Sequence, residues 1–274
     1  MSSSTASTSA TSSILERIFA AKHAELEADR AVVPFEAMRE IARNAPAPRD
    51  FLAALRARRP AIIAEIKRAS PSKGDILPGL DPAAVARDYA TAGAAAISVL
   101  TDRHFKGSLE DLRTVRAAVN LPLLRKDFIF DAYQLHQARA AGADCILLIA
   151  VMLQEADLAA LHAAAREVEL QVIVEVHNED ELRTAARAGA EIVGINNRDL
   201  HTFVTDIGVT ERLLEDYRGN ALIVAESGID TPADIRRLDR AGARAFLIGE
   251  SLLRGGDPRR KLEALVAALG AGRG

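Results

Sequence analysis

An α/β chain closing into a (β/α)8 barrel behind an N-terminal helical extension is the architecture this sequence predicts, and three observations predict it. From residue 61 onward, eight short apolar runs follow one another, each succeeded by a helical or polar stretch: AIIAEIK (61–67), AAISVL (95–100), LPLLRKDF (121–128), DCILLIA (144–150), LQVIVEV (170–176), EIVGINN (191–197), ALIVAES (221–227) and AFLIGE (245–250). Continuously apolar strands joined by helices form a parallel sheet covered on both faces. The tripeptide Ala-Gly-Ala recurs at 92–94, 141–143, 188–190 and 241–243, at spacings of 49, 47 and 53 residues. Each copy ends a helix, with Gly as its C-cap, and precedes an even-numbered strand. Four copies of a double βα unit make eight units, which favours a closed TIM barrel over an open doubly wound sheet. The length of 274 residues suits one such domain.

Taken in order, residues 1–13 (MSSSTASTSATSS) carry neither a basic n-region nor an apolar h-region, so they read as a disordered Ser/Thr-rich tail rather than a secretory signal. Arg17 is the first basic residue, which also argues against a transit peptide. Residues 14–60 read as a helical extension packed on the barrel. Ile14, Ile18 and Ala21 share one face, Phe51, Leu52 and Leu55 mark a later helix, and Pro34, Pro46 and Pro48 punctuate the segment. Residues 61–270 form the barrel itself.

Apolar residues make up 49% of the chain, enough for a substantial core, yet no run reaches membrane-spanning length. A net charge of −3 with both signs dispersed and no Lys/Arg block excludes nucleic acid as the main partner and leaves a small molecule as the default. Cys145 stands alone, so there is no disulfide framework and no Cys-based metal site, which suits a reducing cytoplasm. The six histidines show no metal spacing, and His177 reads as a loop residue. Neither a Walker-type phosphate loop nor a GxGxxG fingerprint occurs, so no nucleotide cofactor is implied. The chain is expected to act as a monomer, a weak homodimer being the alternative.

The stretch IIAEIKRASPSKG (62–74) departs from the apolar pattern. Glu65 and Lys67 lie two residues apart and so on one face of a strand, where an unpaired buried charge is costly. The Ser-Pro-Ser-Lys-Gly that follows can neither continue a strand nor start a regular helix; it reads as a long polar loop at the strand's C-terminal end and a candidate lid. In a barrel that end carries the active site. Lys126 on the third strand, Glu175 on the fifth, Asn196 on the sixth and Glu226 on the seventh collect there too. Because alternate strands share interior layers, Lys67, Lys126, Glu175 and Glu226 are expected to form the top layer, with Glu65 one layer deeper. Structural ion pairs closing the barrel are the bland alternative. With Asn196 and Arg198 beside them, four convergent charges favour acid–base chemistry, since apolar packing would serve stability as well. Gly228 in AESGI (225–229) and Gly249 in IGES (248–251) put backbone N–H groups where an anion, above all a phosphate, can approach. Glu250 would repel it, so only its backbone is expected to take part. Phe105 and Phe128, just beyond the second and third strands, are either rim packing or walls for an aromatic substrate.

Seven motifs at these strand ends, EIKRASPSKG (65–74), FKGSLEDL (105–112), PLLRKDF (122–128), EVHNEDEL (175–182), GINNRDL (194–200), AESGI and IGESLLR (248–254), resemble those of the indole-3-glycerol phosphate synthase family over residues 14–268. The resemblance implies a carboxy-lyase of tryptophan biosynthesis that needs no cofactor or metal. Its substrate would be 1-(2-carboxyphenylamino)-1-deoxyribulose 5-phosphate, closed to indole-3-glycerol phosphate with release of carbon dioxide and water. By that resemblance Lys126 is the general acid on the substrate ketone and Glu175 the acid/base of the dehydration. Lys67 holds the carboxylate or phosphate end or donates a proton in the second step, and Glu65, Asn196 and Glu226 orient these groups and hydrogen-bond substrate hydroxyls. Ser70, Phe105, Phe128, Leu147, Arg198, Leu200 and Ser227 line the pocket; Gly228, Gly249, Glu250 and Ser251 surround the phosphate. The one visible departure is Asp102, where the family usually has Glu. The rivals are another phosphate-binding barrel enzyme, such as a phosphoribosylanthranilate isomerase or the α subunit of tryptophan synthase, and a catalytically silent barrel acting as a binding protein.

Overall fold

The computed structural model describes residues 5–70, 74–76, 79–199 and 202–270. Among them, eight parallel strands close into a barrel: β1 (Ala61–Ile66), β2 (Ala96–Leu100), β3 (Leu123–Lys126), β4 (Cys145–Ile149), β5 (Gln171–Val176), β6 (Ile192–Asn196), β7 (Leu222–Glu226) and β8 (Ala245–Ile248). Each pairs with its neighbours in the chain. The first strand completes the ring, Ile63 lying opposite Ala96 of β2 and Ala61 opposite Ala245 of β8. Side chains alternate between two cores: Ile62, Ile97, Leu123 and Ile146 pack under the helices, while Ile63, Leu124, Leu147, Ile173 and Val224 fill the barrel interior. Burial on both faces is why these strands read as unbroken apolar runs.

The helices are α1 (Thr5–Val32), α2 (Phe35–Arg43), α3 (Phe51–Arg56), α4 (Pro82–Thr91), α5 (Leu109–Ala118), α6 (Ala132–Ala140), α7 (Glu155–Glu167), α8 (Glu179–Arg187), α9 (Gly208–Glu215), α10 (Pro232–Ala241), α11 (Glu250–Leu253) and α12 (Pro258–Val266). Asp81, Ser108, Asp131, Asn178 and Thr231 cap five of them where they leave the upper rim, each accepting a first-turn N–H. At the lower end the Ala-Gly-Ala glycines turn the chain back into a strand with φ of 95°, 89°, 78° and 119° at Gly93, Gly142, Gly189 and Gly242. Only Gly242 is itself the C-cap; in the other three copies the preceding Ala is, and Gly follows it.

Two elements differ from the sequence expectation. The first helix begins at Thr5, ahead of the boundary at residue 14, because a helix once nucleated gains one backbone bond for each further residue, apolar or not. The loop after β1 folds back on itself, Ala69–Ser70 pairing antiparallel with Gly74–Asp75. Phe51, Leu52 and Leu55 of α3 join the barrel-interior core from below, and Leu52 N–H donates to the Gln171 side chain at 2.8 Å.

The first helix lies across the barrel mouth through a buried clamp. Lys22, 5% exposed, stands 2.9 Å from Asp127, 2.9 Å from Glu25 and 3.3 Å from Asp102. Asp102 is fully buried and also accepts the His104 N–H. Burial would raise the Asp127 carboxyl, but the Arg125 and Lys22 charges and the Thr101 hydroxyl outweigh it and bring it down to about 2. A carboxyl lowered in the folded state stabilises that state above its unfolded value of about 3.9, and the contribution is lost as pH falls toward the folded value. Acid titration followed by circular dichroism and limited proteolysis should therefore release α1 between about pH 4 and 2, and Lys22→Met should move that release to higher pH. An unchanged acid midpoint would show that the clamp does not hold α1.

Candidate active site

The strand ends deliver a compact set of charges to the mouth. Lys126, the last residue of β3, places Nζ 3.2 Å from Oε2 of Glu175 on β5 and 3.8 Å from Oε2 of Glu226 on β7. Asn196, at the end of β6, donates from Nδ2 to Glu175 Oε1 at 3.0 Å. Lys67 lies just past β1 with Nζ 2.9 Å from Glu65 Oε1. Glu65, Glu175 and Glu226 are buried, at 5%, 2% and 2% exposure. Glu65 is near enough for its charge to act on Lys126 and Glu226, and Lys67 pairs with Glu65.

Electrostatics separates the three carboxyls. Burial would lower the Lys126 ammonium, but Glu175, Glu226 and Glu65 hold it above its ordinary range. Burial would raise Glu175, yet Lys126 and His177 keep it well below the usual carboxylate range. Burial together with the adjacent Glu175 pushes Glu226 up to about 8. Lys126 thus stays an ammonium beside Glu65 and Glu175, both held ionised, while Glu226 is the carboxyl of the group pushed toward its protonated form, the pattern of separated values that assigns acid and base roles. The Glu226 Oε1 atom is buried with no hydrogen-bond partner among the described residues. Two glycines make room for this arrangement: a Cβ on Gly194 would collide with Glu226 Oε1, and one on Gly249 with Glu65 Oε1.

Above the charges opens a cavity of about 450 Å³, within the range of small-molecule sites. Its walls carry Phe105, Phe128, Leu147 and Ile18 of α1 on one side, and Arg198, Ser227, Gly228, Gly249, Glu250 and Ser251 on the other. The charged floor of Glu65, Lys67, Lys126, Glu175, Asn196 and Glu226 lines the same space. Leu200 lies outside the described residues, as does the side chain of Ser70. Ser227 and Gly228 take consecutive left-handed conformations with φ of 66° and 77°, turning the chain sharply at the end of β7. The Glu250 side chain pairs with Arg254 and lies 3.7 Å from Arg198, while the Ser251 hydroxyl donates to Asp230.

The fold also brings in residues that no local sequence pattern marks. Phe203, Thr205 and Arg254 line the cavity, and the α1 residue Ile18 reaches it across the clamp. His177 sits in the β5–α8 turn, as its position suggests, but its Nε2 stands 3.3 Å from Glu175 Oε1 and its Nδ1 3.1 Å from Glu181 Oε2. The signal was the spacing in EVHNEDEL: His177 follows Glu175 by two positions and precedes Glu181 by four.

Comparison with known proteins bears on this site. Residues 15–265 match the family model described as Indole-3-glycerol phosphate synthase. The chain is 50% identical over 262 residues to an indole-3-glycerol phosphate synthase of Roseiflexus sp. (strain RS-1), an alignment covering 92% of this chain and 97% of that one. It is 47% identical over 262 residues to the protein of the same name from Chromobacterium violaceum, covering 94% and 99%. Among solved structures it superposes on a thiamine phosphate pyrophosphorylase from Pyrococcus furiosus with TM-score 0.57 at 17% identity, over 76% of this chain and 94% of that one. An N-acetylmannosamine-6-phosphate 2-epimerase from Clostridium perfringens gives TM-score 0.58 at 14% identity, over 72% and 89%. At such low identity these two likenesses concern the barrel fold alone.

Proposed function

The chain belongs to the indole-3-glycerol phosphate synthase family, the carboxy-lyases of tryptophan biosynthesis, and we propose that its barrel mouth performs that reaction with the residues described above. The observation that carries this reading is the Lys126–Glu175 pair, an ammonium held protonated 3.2 Å from a carboxylate held ionised, on the floor of one cavity. Ring closure needs a hydrogen-bond donor on the substrate ketone as negative charge grows on its oxygen, and Lys126 supplies it. Loss of water then needs a proton removed, which Glu175 accepts. Glu226, holding its own proton, donates to a substrate hydroxyl. Lys67 and Arg198 face the carboxylate or phosphate end, with Glu65 and Asn196 fixing Lys67 and Glu175. The phosphate lies against the backbone of Gly228, Gly249, Glu250 and Ser251, and the aromatic ring against Phe105, Phe128, Leu147 and Ser227. The chain works as a cytoplasmic monomer on a phosphorylated aromatic small molecule. Among the described residues no helix is long and apolar enough to cross a membrane.

The test is direct: supply 1-(2-carboxyphenylamino)-1-deoxyribulose 5-phosphate and follow indole fluorescence. The chain contains no Trp, so the product's emission rises on a dark background. Well-folded protein that forms no indole product would refute the reading.

A further inference from the structure

Glu175 faces a conflict that the Lys126 pair alone does not resolve. In the free protein Lys126 neutralises it on Oε2. Once Lys126 turns to the substrate ketone, Glu175 stays buried at 2% exposure beside Glu226 on β7, with Asn196 on β6 as a neutral donor. A buried carboxylate stripped of its cation takes up a proton and ceases to be a base. A second cation is already in place. His177 Nε2 stands 3.3 Å from Glu175 Oε1, on the opposite oxygen from Lys126. This contact is an ion pair outside hydrogen-bond geometry.

The imidazole is itself fixed from behind. Glu181, in the first turn of α8, accepts the His177 backbone N–H at 2.8 Å and faces ring Nδ1 at 3.1 Å with the same oxygen. Its other oxygen accepts from the side chain of Asn178, the N-cap of that helix, at 2.6 Å. The groups around His177 are thus Glu175 at its own strand end, Glu181 on α8 and Glu226 on β7; Lys126 on β3 and Glu226 complete the charges around Glu175.

We infer that His177, held by Glu181, is a positioning residue that keeps Glu175 ionised and oriented while Lys126 is engaged with substrate. This rests on the reading of Glu175 as the proton-transfer group of the synthase reaction. Burial would lower the imidazole, but Glu175 and Glu181 together push it up to about 10, so both ring nitrogens are donors at neutral pH.

In His177→Gln the acidic limb of the kcat–pH profile should move up by about one unit or more, the effect of removing one neighbouring opposite charge, with KM nearly unchanged. Glu181→Gln should shift the limb in the same direction by less, because the cation remains but is less firmly held. A purely structural role would lower thermal stability and leave the limb where it is. Imidazole titration by NMR in substrate-free protein, with His177 assigned by its loss in His177→Gln, reads the same pair without turnover: native His177 should titrate well above its ordinary value of about 6.5 and fall toward it in Glu181→Gln. An unshifted acidic limb in folded His177→Gln, or a native ring titrating near the ordinary value, overturns the inference. Failure of the wild-type chain to form product would instead refute the synthase reading, and the NMR titration would still report on the pair.

Discussion

Lys126→Met should lower turnover by about 10²–10⁴-fold, the usual contribution of a positioned acid, while the barrel still folds. Met keeps the length and apolar stem of Lys, so the layer of side chains around it stays filled. What disappears is the cation shared by Glu175, Glu226 and Glu65. With Glu226 already pushed toward its protonated form, further proton uptake within the group absorbs the loss, so the fold survives where the chemistry does not. Both carbon dioxide release and indole fluorescence should fall together, since the donor is needed at ring closure, before either product forms. Circular dichroism checks the fold, and near-normal turnover in folded protein would remove Lys126 from the mechanism.

Glu175→Gln should lower the overall rate by a similar factor of about 10²–10⁴, but with a different signature. The amide fills the same space and retains one carbonyl oxygen for Asn196 or Lys126, so ring closure and decarboxylation should survive better than dehydration. In a single-turnover experiment carbon dioxide should appear ahead of indole fluorescence, with the decarboxylated, still hydrated intermediate accumulating between them. Equal suppression of the two signals would place Glu175 at the first step instead, and an unchanged rate would exclude it.

Much of this molecule is visible in its sequence because the signals are local. Unbroken apolar strands and the Ala-Gly-Ala helix ends announce the barrel, and Lys126, Glu175, Asn196 and Glu226 stand out because each is a polar residue at the end of an apolar run. What escapes is whatever depends on geometry between distant segments. The Lys22 clamp joins residues 80 and 105 positions apart, Asp102 and Asp127, and no local pattern marks it. That the Glu65 charge reaches Lys126 depends on how β1 and β3 face each other across the closed ring. The proton on Glu226 is a property of its neighbours, not of the residue. His177 was an intermediate case: its spacing from Glu175 and Glu181 was legible, but only the α8 cap shows that the ring is fastened between them.

Gly194 and Gly249, opposite the two glutamates whose oxygens a methyl group would displace, tie residues on neighbouring strands into single heritable units. A carboxyl at 226 and a side chain at 194 compete for one volume, so neither position can drift alone. Enlarging 194 evicts the acid, and shortening 226 opens a void that the close-packed interior does not tolerate. The same holds for 65 and 249. Evolution of new chemistry on this barrel must therefore pass through paired changes at these positions, or leave the acidic floor as it is and explore the rim of the cavity, which Phe105, Phe203 and Arg254 line.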